Sequence, residues 1–249
     1  KSYCSMGTSA WINTTSEQTI FDEMMRFVNW VHIVPGYYAP NGTMQSAGGA
    51  YSWLKETICK MEQYDARIHG KSPYDYMNEE IAKSPAGANG VLFLPYLMGE
   101  RAPRWNPDAK GAFLGLKAEN TRADILRSVL EGVTMNLSLC LDVLRTQVAI
   151  DEMVVIGGGA KGRVWRQIMA DVYNTRILVP SVLEEASSMG GAITGGVGAG
   201  LYKDFSVSEK FLEIQGIHEP DPKAAGDYQE RKEVFDACYF ALEGVFGKL

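Results

Sequence analysis

The run Met153-Val154-Val155-Ile156-Gly157-Gly158-Gly159-Ala160-Lys161-Gly162 constrains this chain more than any other stretch, together with Val164, Trp165, Ile168, Met169 and Val172 behind it at helical spacing. Four apolar residues read as a buried strand, and the period then changes from strand to helix. Between them three glycines relieve the backbone of side-chain bulk. A glycine turn between a strand and a helix brings amide N–H groups close to a phosphate or a nucleotide, and the helix N-terminus adds positive potential. Lys161 adds a mobile cation. The same turn also reads as an ordinary strand-to-helix connection that needs a positive φ. Its spacing fits neither the Walker loop nor the GxGxxG fingerprint.

Taken from the start, Lys1–Met6 is expected as a strand and Ala10–Thr14 as its hairpin partner, with Gly7-Thr8-Ser9 between them. A glycine turn flanked by hydroxyls presents N–H and O–H donors to phosphate oxygens, and it also serves as a plain hairpin turn. A third strand is expected over Phe27–Val34, stopped by Pro35-Gly36, which gives the sheet an antiparallel start. Residues 41–49 are small and polar, and a helix begins with Ala50, Trp53, Leu54 and Ile58. Ala47-Gly48-Gly49 lets that helix end approach either a ligand or the sheet closely. Residues 64–88 read as a polar connection with one helix over Tyr74–Ala82, followed by an apolar strand at Val91–Leu94.

The loop 99–111 is charged, proline-rich and too long for a plain turn. Such loops carry function or lie on the surface, and Glu100, Arg101 and Asp108 also read as a solvated ion-pair group. Thr121 with Asp124 three residues later resembles a capping box, and Ile125, Val129, Val133, Leu137, Leu141 and Leu144 line one face of the helix it opens. Beyond the glycine run, Arg176–Pro180 is a strand and 184–200 a stretch of small residues suited to close helix packing. Asp227–Phe246 is a last amphipathic helix, with Pro220 and Pro222 marking the linker before it. The strand–helix–strand alternation after an antiparallel opening predicts one α/β domain with a mixed sheet.

A net charge of −6 without a dense Lys/Arg block argues against nucleic acid or an anionic membrane as the main partner. Cys4, Cys59, Cys140 and Cys238 are scattered, which indicates neither a zinc site nor a disulfide framework and suits free thiols in a reducing cytoplasm. No apolar run approaches the roughly twenty residues of a membrane span. The chain opens on Lys1 and enters a strand-like run at once, so material before residue 1 is expected.

Gly111-Ala112-Phe113-Leu114-Gly115-Leu116, then seven residues, then Asp124-Ile125-Leu126-Arg127-Ser128-Val129-Leu130-Glu131 resembles the second signature of the FGGY carbohydrate kinases. Gly7-Thr8-Ser9, Ala47-Gly48-Gly49 with Trp53-Leu54, the Gly99-Glu100-Arg101-Ala102-Pro103 loop and Gly157-Gly158-Gly159-Ala160-Lys161 follow in family order. The resemblance covers essentially all 249 residues and makes residues 1–249 the C-terminal ATP-binding lobe of such an enzyme.

That resemblance implies a ribonuclease H-like, actin-like ATPase fold, and a kinase in which two lobes bring ATP and sugar together in a cleft. It implies D-xylulose as the first acceptor, giving D-xylulose 5-phosphate, with gluconate, another ketose or a polyol as alternatives. A non-catalytic nucleotide-binding module of the same fold is the rival from another class. By carry-over, Gly7 and Thr8 contact terminal phosphates, while Gly48 and the Gly158-Gly159-Ala160 turn contact phosphates, ribose and adenine. The adenine pocket extends toward Arg163 and Val164. The catalytic aspartate, the magnesium-binding aspartate and most sugar contacts are expected on an N-terminal lobe, so no catalytic or metal residue is assigned here and this chain alone is expected to be inactive. ATP and Mg2+ are the implied cofactors, a cytoplasmic location is expected, and a homodimer is left open.

Overall fold

A computed structural model describes residues 2–249. Seven strands form one mixed sheet. β1 (Ser2–Met6) and β2 (Ala10–Asn13) are the expected hairpin, and β2 continues antiparallel into β4 (Tyr38–Met44) and β4 into the edge strand β3 (Val28–Val31). On its other side β1 lies parallel to β7 (Glu152–Ile156), and β7 parallel to β8 (Arg176–Pro180). β9 (Ile214–His218) closes that side in antiparallel pairing with β8. A separate ribbon pairs β5 (Leu92–Leu94) with β6 (Ala112–Leu114). Lys1, placed in the first strand by its sequence, lies outside the described residues.

Seven helices accompany the strands: α1 (Gly48–Thr57), α2 (Lys60–His69), α3 (Pro73–Ile81), α4 (Arg122–Arg145), α5 (Arg163–Tyr173), α6 (Ala186–Gly198) and α7 (Pro222–Phe246). None is long and apolar enough to cross a membrane. α4 is the central one. Val129, Val133, Leu137, Leu141 and Leu144 are fully buried on the face its spacing predicted, and they belong to the same core as Met153, Val155, Trp165 and Met169. Its start is held by Asp124, whose Oδ2 accepts from the Thr121 N–H at 2.8 Å. Oδ1 of the same carboxylate accepts from Ser84 Oγ at 2.6 Å and Asn89 Nδ2 at 2.9 Å, tying the helix to the chain before β5.

Several expectations change in the structure. The third strand is shorter than Phe27–Val34, and residues 38–44 form a strand although Pro40, Asn41 and Gly42 are poor strand formers. Pairing on both sides, with β2 and β3, overrides their local preference. The polar connection after Tyr64 holds two helices, since α2 precedes α3. α7 begins at Pro222, five residues before Asp227. Its fixed φ suits a first helical position, and the Asp221 side chain caps it by accepting from the Ala224 N–H at 2.9 Å.

Glu100 is also not part of a solvated ion-pair group. It is 5% exposed. Its carboxylate accepts from the Gln45 and Arg101 N–H groups at 2.6 and 2.8 Å and from Asn136 Nδ2 at 2.9 Å. Arg104 of the same loop donates to Tyr96 Oη at 3.0 Å, pairs with Asp236 at 2.7 Å and lies over the Tyr239 ring. The 99–111 loop thus clamps β4, α4 and α7 together.

Candidate functional site

Adjacent parallel strands deliver their C-terminal ends to the same edge of a sheet, and ligand crevices form there. β1 and β7 are such a pair, with Ser5 opposite Ile156. The Gly7-Thr8 turn and the Gly157-Gly158-Gly159 turn therefore emerge side by side, although about 150 residues separate them in the chain. A cleft of about 470 Å³ opens between them, within the usual size of a small-molecule site.

The glycine turn is shaped by its neighbours. Gly157 has φ +90°, and a Cβ there would stand 2.7 Å from the Met6 carbonyl oxygen, so only glycine lets β7 leave the sheet this close to β1. Its N–H donates to the Leu183 carbonyl at 2.7 Å, and one tight turn over Gly158–Lys161 leads into α5. Gly159 is packed just as closely, with Met6 Cβ 2.9 Å from where a Cβ would sit. Gly158 meets nothing nearer than Glu184 Oε1 at 3.6 Å and faces the open cleft. Among the described residues the N–H groups of Gly158 and Gly159 have no hydrogen-bond acceptor, as expected of donors at the start of a helical turn. The Thr8 hydroxyl makes no hydrogen bond among these residues either.

Of the residues singled out in the sequence, Gly7, Thr8, Gly48, Gly158 and Gly159 line this one cleft. Ala160 does not, and neither do Arg163 and Val164, toward which the adenine pocket was expected to extend; Arg163 is exposed on α5. Ala160 is fully buried behind the turn and belongs to the core. Gly48 has a particular place: its own N–H donates to the Gly7 carbonyl at 2.9 Å, and a Cβ would stand 2.4 Å from that oxygen. The Ala47 and Gly49 N–H groups both donate to the Thr8 carbonyl at 2.9 Å. The α1 end thus uses its first donors to hold the Gly7-Thr8 turn in position.

The far wall was not anticipated. Trp165 forms a buried floor, with Nε1 donating to Thr134 Oγ1 at 3.0 Å. Tyr51 meets it edge-on with ring centroids 5.5 Å apart, and donates its O–H to Asn78 Oδ1 at 3.0 Å. Burial pushes the Tyr51 phenol up, so it remains a neutral donor. Tyr74 stands 5.0 Å from Tyr51, and its hydroxyl meets Ser52 Oγ at 3.0 Å. Across the mouth Lys161 Nζ pairs with Glu184 Oε2 at 2.5 Å. The cleft thus offers anion-directed donors at one end and aromatic faces with an amide at the other. The Ser72-Pro73 start of α3, with Asp75 following, was the available signal for this wall.

Among solved structures the chain is similar to the xylulose kinase of Lactobacillus acidophilus, with a TM-score of 0.86, 25% identity, and coverage of 99% of this chain and 48% of that one. The fold is thus the actin-like ATPase fold. The model of the FGGY family of carbohydrate kinases, C-terminal domain, matches residues 2–199, and the chain belongs to that family. It is 34% identical to the xylulose kinase of Staphylococcus epidermidis over 240 residues, covering 95% of this chain and 46% of that protein. It is 30% identical to the gluconokinase of Bacillus licheniformis over 253 residues, covering 98% and 48%. The chain spans about half the length of the curated relatives it matches.

Proposed function

We propose that this chain is the nucleotide-binding half of an ATP-dependent sugar kinase that passes the γ-phosphate to a hydroxyl of a small sugar, D-xylulose in the first reading. The observation that carries this is the convergence of two glycine turns from adjacent parallel strands on one cleft, with their donors unspent. Phosphoryl transfer relies on positioning and on neutralising charge spread over phosphate oxygens. Backbone N–H groups and a hydroxyl held by the sheet supply both without reorganising.

In this reading Gly7 and Thr8 meet the terminal phosphates, and the Gly158 and Gly159 N–H groups meet the phosphates nearer the ribose. Ala160 acts from the core by fixing the turn, and Gly48 acts by holding the Gly7-Thr8 turn. Tyr51, Tyr74 and Asn78 form the wall against the base. The donors of the cleft suit phosphate oxygens, and no group of three or more His, Cys, Asp or Glu side chains converges among the described residues to form a metal cage. Mg2+, held mainly through the nucleotide and a second lobe, would supply further charge neutralisation.

The base that takes the proton of the sugar hydroxyl, and most sugar contacts, are assigned to a second lobe outside these 249 residues. The test is a coupled ADP-release assay on the full-length protein with D-xylulose, and on the 249-residue chain alone. Sugar-dependent turnover by the full-length protein and none by the chain is the expected result. Equal turnover by both would move the catalytic groups into this chain. Gluconate is the second reading, favoured by the 30% identity to a gluconokinase, and the same assay with gluconate decides between them.

A further inference from the structure

On a neighbouring face of α5, bordering the glycine turn at Arg163 and Leu183, lies a second hollow of about 510 Å³. Arg163, Arg166 and Gln167 line it from the first turns of the helix. Gln215, His218 and Glu219 line it from β9 and the residue after it. Neither guanidinium makes an ion pair or a side-chain hydrogen bond among the described residues, and Arg166 Nε is buried without any partner. Arg26, Arg104, Arg122, Arg127, Arg145 and Arg176 each find a carboxylate, and Arg231, whose Nε is also buried without a partner, donates through Nη2 to the Val91 carbonyl at 3.2 Å. The acid of the hollow is already engaged, since Glu219 Oε1 accepts from Arg176 Nε at 2.8 Å. The His218 ring meets Gln167 Oε1 at 3.2 Å, and Gln215 Nε2 donates to the Pro180 carbonyl at 3.3 Å.

This arrangement opposes folding in three ways. Two cations sit at the positive end of a helix dipole, where cations are unfavourable. They repel each other: burial lowers the Arg166 pKa, and Arg163 lowers it further. The same two arginines add to burial in holding the His218 pKa down. A buried donor without an acceptor carries a further cost. A bound anion reverses all three at once, and planar guanidinium groups suit phosphate oxygens through paired N–H donors.

We propose that this hollow is a second anion site of the protein, taking a phosphoryl or diphosphoryl group of a small phosphorylated ligand separately from the nucleotide cleft. Arg166 and Arg163 hold the phosphate oxygens, with Gln215 and His218 at the rim. The phosphate of a free metabolite and the tail of a nucleotide share this chemistry, so the test separates them. Inorganic pyrophosphate is titrated calorimetrically into the full-length protein, with and without a saturating non-hydrolysable ATP analogue. Saturable one-to-one binding that survives the analogue is expected. Arg166→Gln is expected to weaken it at least tenfold and Arg166→Lys, which keeps the charge, far less. The ligand-free Arg166→Gln protein is expected to melt no lower than wild type, because a repulsive pair has been removed. Absence of saturable binding, abolition by the ATP analogue, unchanged affinity in Arg166→Gln, or a lower melting temperature for that variant would each overturn the proposal.

Discussion

Along α4 and at the mouth of the cleft, polar groups are treated in opposite ways. Arg127 and one carboxylate oxygen of Glu131, both in the family signature, are consumed inside the fold, while Glu131 Oε2 is buried without a partner. Arg127 Nε donates to Glu131 Oε1 at 2.5 Å, Tyr228 Oη donates to the same oxygen at 2.5 Å, and the Gly87 N–H reaches it at 3.0 Å. Arg127 also donates to the Ser84 carbonyl at 3.1 Å and to Tyr228 Oη at 3.1 Å. This network joins α4 to α7 and to the segment before β5. At the cleft, the Thr8 hydroxyl and the Gly158 and Gly159 N–H groups have no acceptors among the described residues. The signature that identifies the family most specifically therefore marks a structural knot, and the shorter glycine turns mark the proposed site. A long motif reports how many groups must fit together, which is a separate matter from where a ligand sits.

The largest effect that sharpens this contrast is on the α4 side. Glu131→Ala removes the carboxylate from a fully buried position and strands the Arg127 charge, which costs about 3–5 kcal/mol. Urea unfolding is expected to show that loss, with the nucleotide affinity of the protein that remains folded unchanged. A comparable loss of affinity in the folded fraction would merge the two regions.

Glu100 gives the next largest effect, and it depends on pH. Burial pushes its carboxyl up to about 7, while hydrogen bonds from the Gln45 and Arg101 N–H groups pull the other way. The folded protein thus holds a proton, between about pH 4.5 and 7, that the unfolded chain has already lost. The contribution of this group to stability is greatest at the acid end of that window and falls as pH rises through it. The full excursion is about 3 kcal/mol. Glu100→Gln is expected to remove that part of the difference in unfolding free energy between pH 5 and pH 8. An unchanged pH dependence would show that this carboxyl ionises as it does in the unfolded chain.

The smallest effect is at Thr8. Thr8→Val keeps the shape of the turn and removes one donor, so kcat of the full-length enzyme is expected to fall about fivefold, near 1 kcal/mol, with a smaller change in KM for ATP. Unchanged kcat/KM for both ATP and sugar would return the hydroxyl to a hairpin-turn role.

Much of this division was legible in the residues themselves. The change of period at Ile156–Val164 located β7, the glycine turn and α5, and the Thr121/Asp124 spacing located the start of α4. β4 was hidden because Pro40, Asn41 and Gly42 become a strand only between two partners. α2 was hidden because Lys60–His69 has no side-chain cap at its start, and its stripe of Met61, Tyr64 and Ile68 is exposed while Glu62 and Ala66 are the buried positions. The glycines of the cleft were visible as punctuation, yet Tyr51, Ser52, Tyr74 and Asn78 were not. They come from α1 and α3, and only the packing of those helices against α5 brings them opposite the turn. Trp165 was legible as core, and it is core; its role as the floor of the cleft depends on Tyr51 and is not encoded locally.

Gly158 separates the two kinds of region most directly, because its side-chain direction is open toward the cleft while that of Gly159 is closed by Met6 and Trp165. Calorimetric titration of ATP into full-length Gly158→Val, with its thermal midpoint measured alongside and Gly159→Val as the comparison, is the decisive measurement. Gly158→Val is expected to retain a midpoint close to wild type and to lose affinity about thirtyfold, near 2 kcal/mol, whereas Gly159→Val is expected to lower the midpoint as well. A folded Gly158→Val protein that binds ATP as tightly as wild type would contradict the placement of the nucleotide over this turn.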